Sequence, residues 1–240
     1  MKTIQAPRAS AILYNLLIHQ KQAKPWLLPA NICPIVPITF MKAGVPFEFM
    51  DISNTSLHMD FEQAGALIKR GAVGGLLYAY TYGEKSMPND FFHSVKSLQP
   101  EILIVDDRCL CIPEFESDSL ADMVLFSTGY AKVVELNFGG YAFVKEEINY
   151  QPAKLKFDPT HHTELEKLYK DAIQNQSQFV YRDSDWLQTS AQLPEWDMYQ
   201  QQIESALELS LAQRRTLHEI YSSRLPKDIQ LPPEYQMWRF

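Results

Sequence analysis

The sequence predicts an α/β fold, specifically a three-layer sandwich around a mostly parallel central sheet. Two observations predict it. First, short apolar runs alternate with helix-like stretches as far as about residue 150, the pattern typical of βαβ units. Second, the composition changes after that point, because glycine disappears and Gln, Glu and Lys become more frequent. We therefore expect a large α/β domain over residues 1–157. Residues 158–240 should form a helical region that packs on it.

Apolar periodicity assigns the elements of the first domain. A helical stripe from Ile12 to Leu17 predicts a first helix over residues 9–20. Helices predicted over residues 60–70 and 89–98 each open with an acidic or amide residue that suits a helix N-cap. Apolar runs predict strands at residues 26–28, 47–50, 76–80, 102–105, 123–126 and 141–144.

The C-terminal third is predicted to be helical. Apolar residues recur at helical spacing from Ile203 to Tyr221. Arg214 and Arg215 lie towards the end of this long helix, where positive charge suits the helix dipole, and Pro226 ends it.

Composition and charge exclude several classes of protein. The 240 residues are 46% hydrophobic, enough to bury a large core without disulfides or metals. The 22 basic and 29 acidic side chains give a net charge of −7, which argues against a nucleic-acid partner because phosphate-backbone binding needs clustered Lys and Arg. No apolar stretch approaches the roughly 20 residues of a membrane-spanning helix, so no membrane partner is expected. The three cysteines, Cys33, Cys109 and Cys111, favour neither a disulfide framework nor a zinc site, and indicate reduced thiols in a cytoplasm.

The segment EILIVDDRCLC reads as a buried strand that ends in Asp106 and Asp107. In open α/β sheets ligands bind outside the carboxyl ends of the strands, and successive strand residues point to opposite faces. Only one aspartate should therefore face a ligand, while the other caps the backbone or pairs with a residue such as Arg108. Two alternatives stay open at this point: a purely structural pair, or a magnesium site as in phosphoryl-transfer enzymes. The sequence contains no GxxxxGK phosphate loop to support the magnesium site.

The segment DMVLFSTGYAKVVELNFGGYAFV predicts a strand that runs into Ser127, followed by Lys132 on a loop and by Gly139 and Gly140 before the next strand. A hydroxyl at a strand end can bind phosphate, and a lysine in a cleft can form a Schiff base once desolvation lowers its pKa. Each residue alone is weak evidence, because most loop lysines are simply solvated.

The combination is more specific, since pyridoxal phosphate (PLP) chemistry needs an amine, an acid facing the ring nitrogen and anion-binding groups for the phosphate. Asp107, Ser127 and Lys132 in this order resemble the core of fold-type-I PLP enzymes, and specifically the sugar aminotransferases of the DegT/DnrJ/EryC1/StrS family. The segments LLPANICPIVPITFMKAGVPFEFMDI and LLYAYTYGEKSM are similar to further parts of that family's large domain. The resemblance extends from Arg8 to about Val144, with a weaker similarity in SLAQRRTLHEIYSSRL.

The resemblance implies a role for each residue. Lys132 would be the Schiff-base lysine and proton carrier, and Asp107 would keep the pyridine nitrogen protonated. Ser127 would hold the cofactor phosphate. The phosphate would also accept hydrogen bonds from backbone N–H groups at the start of the first helix, those of Arg8, Ala9 and Ser10. The implied reaction transfers an amino group from an amino acid such as glutamate to a nucleotide-linked keto sugar, in a homodimer.

The chain also departs from the family. Ala6 and Pro7 stand where the family usually has Ser-Gly, which should weaken phosphate binding. Arg108 and Cys109 follow Asp107, where the family usually has small residues and then Gln or His.

The chain is shorter than the family's members at both ends, and Tyr235 to Phe240 resembles the first strand of the small domain. These departures motivate an alternative, a degenerate, non-catalytic member that acts as a binding or assembly partner. The chain could also be half of a split enzyme whose missing small domain comes from a second polypeptide.

Overall fold

A computed structural model describes residues 1–20, 23–83, 87–231 and 235. The strands are Lys2–Ala6 (β1), Trp26–Pro29 (β2), Phe47–Met50 (β3), Gly75–Ala79 (β4), Leu103–Asp107 (β5), Met123–Ser127 (β6) and Gly140–Val144 (β7). The α-helices are Ala9–His19 (α1), Ile35–Ala43 (α2), Phe61–Lys69 (α3), Asn89–Leu98 (α4), Pro159–Gln174 (α5) and Trp196–Arg224 (α6). A short 3-10 helix, Lys227–Ile229, follows α6.

The strands form one seven-stranded sheet in the order β1-β7-β6-β5-β4-β2-β3. Strand β7 is antiparallel to both of its neighbours, and the other strands therefore all run in one direction. This confirms the predicted α/β class with a mostly parallel sheet. Because β7 runs the opposite way, its first residue, Gly140, meets the last residues of β1 and β6, Ala6 and Ser127.

Two layers of helices cover the sheet and complete the predicted three-layer sandwich. On one face, α1 and α2 bury an apolar cluster that includes Leu17, Phe40 and Val105. On the other face, helices α3 and α4 pack on the strands through Ile68 and Phe92. Burial of these apolar side chains is the main favourable contribution to folding.

The C-terminal region packs against both faces of this sandwich. Helix α5 contacts the outer side of α2 through Leu165, in a cluster that also holds the fully buried Trp186. The start of α6 packs under β6 and β7 through Tyr199 and Ile203. Beyond that point α6 is mostly exposed, and Leu209 is 74% exposed. None of the helices in the described residues is long and apolar enough to cross a membrane.

Local chemistry explains where several helices begin and end. Asp60 caps α3 by accepting hydrogen bonds from the backbone of Glu62 and Gln63, as its predicted N-cap role requires. Asp158 caps α5 in the same way. Helix α2 ends at Gly44, whose φ of +67° is a left-handed conformation that glycine adopts without strain.

The structure differs from the elements that apolar periodicity predicts in three places, of which the first is helix α2, Ile35–Ala43. Strand β1 was not predicted, because its sequence KTIQA has no apolar run. Residues 175–195 are irregular instead of helical, because the buried Trp186 and Leu187 fix this polar segment against α2 and α5. The predicted strand over residues 235–240 lies outside the described residues apart from Tyr235.

Candidate functional site

The two aspartates at the end of β5 point to opposite faces of the sheet, as the strand alternation predicts. Asp106 is fully buried, and its Oδ2 accepts hydrogen bonds from Arg108 Nε at 3.1 Å and Ser119 Oγ at 2.7 Å. Arg108 in turn donates from Nη1 to Glu114 Oε2 at 2.6 Å. Burial raises the pKa of Asp106, and the Arg108 charge opposes that rise. Asp106 is therefore committed to a buried ion-pair network, and its pairing with Arg108 confirms that part of the prediction.

Asp107 lies on the other face, the one covered by α1 and α2. Its neighbour two residues earlier, Val105, belongs to the apolar cluster of that face. Asp107 Oδ1 accepts a hydrogen bond from the backbone N–H of Cys109 at 3.0 Å. The two carboxylates do not form the joint ligand pair that the magnesium alternative requires. Within the described residues, no group of three or more His, Cys, Asp or Glu side chains could hold a metal ion.

The charges that shift the pKa of Cys109 indicate which groups lie near it on this face. Burial raises the pKa of Cys109, the negative charge of Asp107 raises it further, and the positive charge of Lys132 lowers it. Lys132 is half-buried on the loop between β6 and β7. The predicted amine and the predicted acid are thus both close enough to Cys109 to influence its titration.

Hydrogen bonds hold both ends of the loop that carries Lys132. The N–H of Thr128 donates to the carbonyl of Gly139 at 3.2 Å, and the N–H of Leu136 donates to the carbonyl of Thr128 at 2.8 Å. Thr128 Oγ1 donates to the carbonyl of Phe138 at 2.6 Å. Since a hydroxyl has a single proton, the Tyr199 hydroxyl at 2.6 Å must donate to Thr128 Oγ1.

Gly139 is required at the end of this loop. Its φ is +90°, and a Cβ there would lie 2.2 Å from the Tyr199 hydroxyl oxygen. Burial raises the pKa of Tyr199 to about 12, so its hydroxyl keeps the proton that it donates. The close approach of α6 to the loop therefore depends on glycine at this position.

Helix α6 also binds the middle of the loop. Ser210 Oγ donates to the carbonyl of Val133, and Arg214 Nη2 donates to the carbonyl of Lys132 at 3.2 Å. Sequence reasoning did not identify Tyr199, Ser210 or Arg214 as site residues. Helical periodicity places them on α6 but does not indicate what the helix contacts.

The predicted phosphate-binding residues lie around the start of β7. Ser127 ends β6, and its Oγ accepts a hydrogen bond from the N–H of Gly129 at 3.3 Å. A Cβ on Gly140 would lie 2.5 Å from the backbone nitrogen of Ala9, so this glycine allows the start of α1 to approach the sheet. Arg8 is the N-cap of α1 and makes no side-chain cap, and Ser10 lies in the first turn. The structure thus brings Ser127 and the start of α1 to the same edge of the sheet.

No protein-family model matches the chain, and no curated protein matches it. Solved structures do match. The GDP-4-keto-6-deoxy-D-mannose-3-dehydratase of E. coli, with bound hydrated PLP, has a TM-score of 0.62 at 15% identity, over 99% of this chain and 65% of that one. A DegT/DnrJ/EryC1/StrS aminotransferase from Brucella abortus has a TM-score of 0.61 at 15% identity, over 99% and 64%.

A third match is a protein from Streptococcus pneumoniae described as a sugar aminotransferase, in its PMP form, with a TM-score of 0.62 at 17% identity over 93% of this chain and 61% of that one. The chain thus spans less than two thirds of the length of each of these structures. At these identities the similarity establishes the fold. The chain has the fold of the DegT/DnrJ/EryC1/StrS-type aminotransferases and of the related PLP-binding dehydratase, which is the fold that its sequence resemblance predicted.

Proposed function

We propose that the protein binds PLP and transfers an amino group from an amino acid such as glutamate to a nucleotide-linked keto sugar, with Lys132 as the essential amine. The observation that carries the proposal is the placement of Asp107 and Lys132 around Cys109, on the face of the sheet where α1 begins. Fold neighbours of the chain contain bound PLP or PMP, which supports the same cofactor here.

The residues present fit this cofactor. PLP requires an amine, a carboxylate and groups that bind its phosphate, and when bound it supplies an electron sink for carbanion chemistry. Asp107 offers a largely buried carboxylate, 7% exposed, whose Oδ1 accepts a hydrogen bond from the backbone N–H of Cys109. Ser127 offers a half-buried hydroxyl at the end of the neighbouring strand.

Each side chain would have one task. The Asp107 carboxylate would hold a proton on the ring nitrogen, because a charged hydrogen bond in a buried site favours the protonated form. Lys132 Nζ would bind the cofactor and move a proton at the substrate carbon. The contacts from Ser210 and Arg214 to the loop backbone would keep this amine in place while it exchanges partners.

A visible absorption spectrum tests the proposal. The purified protein should develop a cofactor band with PLP that decreases when glutamate is added. Lys132→Ala should abolish the band, whereas Lys154→Ala, at an exposed lysine, should retain it. A protein that shows no lysine-dependent band at saturating PLP would refute the catalytic proposal.

A second candidate is a non-catalytic assembly partner, and two observations favour it. Pro7 removes an N–H donor at the phosphate turn, and the far half of α6 is exposed within the described residues, with Leu209 at 74%. We propose a homodimer for either function, or a complex with a polypeptide that supplies a small domain. Light scattering gives the mass in solution. A dimer without the lysine-dependent band would favour the assembly role, and an active homodimer would remove the need for it.

A further inference from the structure

Helix α6 has one exposed face that carries no charged side chain, although the helix as a whole is rich in charge. The large side chains on this face are Met198, Leu209 and Ile220, which are 57%, 74% and 45% exposed. The positions between them are also exposed, and all are uncharged: Gln202, Ser205, Ala212 and Thr216. We call these seven residues the α6 stripe. A solvated helix normally places its charged side chains on the exposed face, so the α6 stripe indicates a contact surface.

The three large residues of the α6 stripe are evenly spaced. Leu209 lies eleven residues after Met198 and eleven residues before Ile220. Eleven residues are close to three turns of an α-helix, so the three side chains follow one line along about 33 Å of α6. The apolar pattern is therefore the same when it is read in either direction, with Leu209 at its centre. Such a surface is complementary to itself when a twofold axis through Leu209 relates two copies.

The other faces of α6 are held by the protein itself. Ile203 packs under β6 and β7, and Ser210 and Arg214 donate hydrogen bonds to the loop that carries Lys132. Each residue turns the helix by about 100°, so these three side chains lie about 100° or more away from the line of the α6 stripe. The stripe therefore points away from the sheet and the loop, towards solvent.

The charges beside the stripe determine the direction in which a second copy can pack. Before Leu209, the charged residues of α6 and its N-cap are all acidic: Glu195, Asp197, Glu204 and Glu208. After Leu209 they are mostly basic, with Glu219 as the exception: Arg214, Arg215 and Arg224. In a parallel pair of helices, halves of like charge would lie side by side and repel. In an antiparallel pair, the acidic half of each helix lies beside the basic half of the other, which is favourable.

We propose that α6 packs antiparallel against α6 of a second copy of this chain, with the twofold axis at Leu209. Met198 of each copy would then face Ile220 of the other. Glu195 lies fourteen residues before Leu209 and Arg224 fifteen residues after it, so these two exposed side chains of different copies would lie level with each other. The inference rests on the homodimer proposed above and names its contact surface, but it does not depend on PLP binding.

Sedimentation velocity over a series of protein concentrations tests the contact. The unmodified protein should dimerise. Leu209→Arg should raise the dimer dissociation constant roughly 100-fold, because two like charges would meet at the axis. Leu168→Arg, at an exposed leucine of α5, is the matched control and should dimerise as the unmodified protein does. The proposal would be overturned by an unmodified protein that stays monomeric, or by a Leu209→Arg variant that dimerises as well as the control.

A charge exchange tests the antiparallel direction and guards against effects of misfolding. Glu195→Arg and Arg224→Glu should each weaken self-association roughly 10-fold, since each turns two attractive pairs into repulsive ones. An equimolar mixture of the two variants should dimerise as strongly as the unmodified protein, because every acid then faces an arginine again. A mixture that associates no better than either variant alone would overturn the antiparallel arrangement.

The absorption band of the PLP-loaded protein separates failure of this inference from failure of the proposed function. A protein that shows the Lys132-dependent band but stays monomeric overturns only the contact. A dimer that dissociates on Leu209→Arg substitution and shows no band supports the contact and refutes only the catalytic proposal.

Discussion

At the end of β5, two adjacent aspartates lie on opposite faces of the sheet and have different hydrogen-bond partners. Asp106 is enclosed by Arg108 and Ser119, and a second carboxylate, Glu114, extends the network. Asp107 accepts one hydrogen bond from the backbone N–H of Cys109, two residues further along. The same residue type therefore serves as a structural ion pair on one face and as an available acceptor on the other.

This difference shows what makes a carboxylate usable for chemistry. The Asp106 carboxylate already faces its own cation, Arg108, and breaking a buried ion pair is costly. A largely buried carboxylate with remaining acceptor capacity can be stabilised by a cation or a protonated ligand. The Asp106 network also covers the end of β5 on the face opposite the one from which Asp107 projects.

The largest expected effect comes from breaking the network on the Asp106 face. Arg108→Met should lower the free energy of unfolding by about 3–5 kcal/mol, because it leaves a fully buried carboxylate without its cation. Urea denaturation measures the loss. The double variant Asp106→Asn/Arg108→Met should recover part of it, since the buried charge is removed together with its partner. A single variant as stable as the unmodified protein would show that the pair does not hold this face.

A smaller effect is expected where α6 supports the Asp107 face. Arg214→Gln removes the guanidinium contact to the Lys132 carbonyl. We expect a loss of about 1 kcal/mol in unfolding free energy, typical of a single hydrogen bond. The affinity for PLP should fall, and Arg215→Gln, at the exposed neighbouring position, should change neither quantity. Equal behaviour of the two variants would show that α6 does not position the loop.

Asp107→Asn should change stability by less than about 1 kcal/mol, because the amide oxygen can still accept the Cys109 N–H. The cofactor band of the PLP-loaded protein should nevertheless shift or disappear. Thermal unfolding and the absorption spectrum, measured on the same sample, separate the two effects. A large loss of stability with an unchanged band would reverse the roles that we assign to the two aspartates.

The smallest expected effect is a change in the reactivity of one thiol. Asp107 raises the pKa of Cys109 and Lys132 lowers it. Removing one charge or the other should therefore shift the pKa of this thiol in opposite directions. At pH 8, Asp107→Asn should speed alkylation of Cys109 by iodoacetamide because more thiolate forms, and Lys132→Ala should slow it. A Cys33→Ser background removes the exposed thiol, and peptide mass mapping identifies the product. Changes in the same direction would place only one of these charges near Cys109.

The sequence was informative wherever a local pattern decided the structure. Apolar runs located β2 to β7, and Asp60 located the start of α3, because strand burial and helix capping leave a signal within a few residues. The polar edge strand β1 leaves no such signal. Its place in the sheet depends on pairing with β7, which is distant in sequence.

Some features of the candidate site could likewise be predicted from the sequence, and others could not. The strand ends bearing Asp107 and Ser127 could be predicted, because each follows an apolar run. The contacts of Tyr199 and Arg214 could not, because they depend on how α6 docks against a loop far earlier in the chain. That Arg8 Nε is buried without a hydrogen-bond partner among the described residues could not be predicted either, since such burial is a property of the packed structure.

The antiparallel direction of β7 has a consequence for the order of folding. Strands β6 and β7 form a hairpin, whereas the other sequence-adjacent neighbours in the sheet are parallel and need a crossover. The Lys132 loop is therefore closed by short-range contacts that carry a low entropic cost. The residues that hold its middle belong to a helix synthesised much later. We expect hydrogen-exchange protection to appear first in the hairpin strands and last in the loop, so that Lys132 is fixed in place only when α6 has docked.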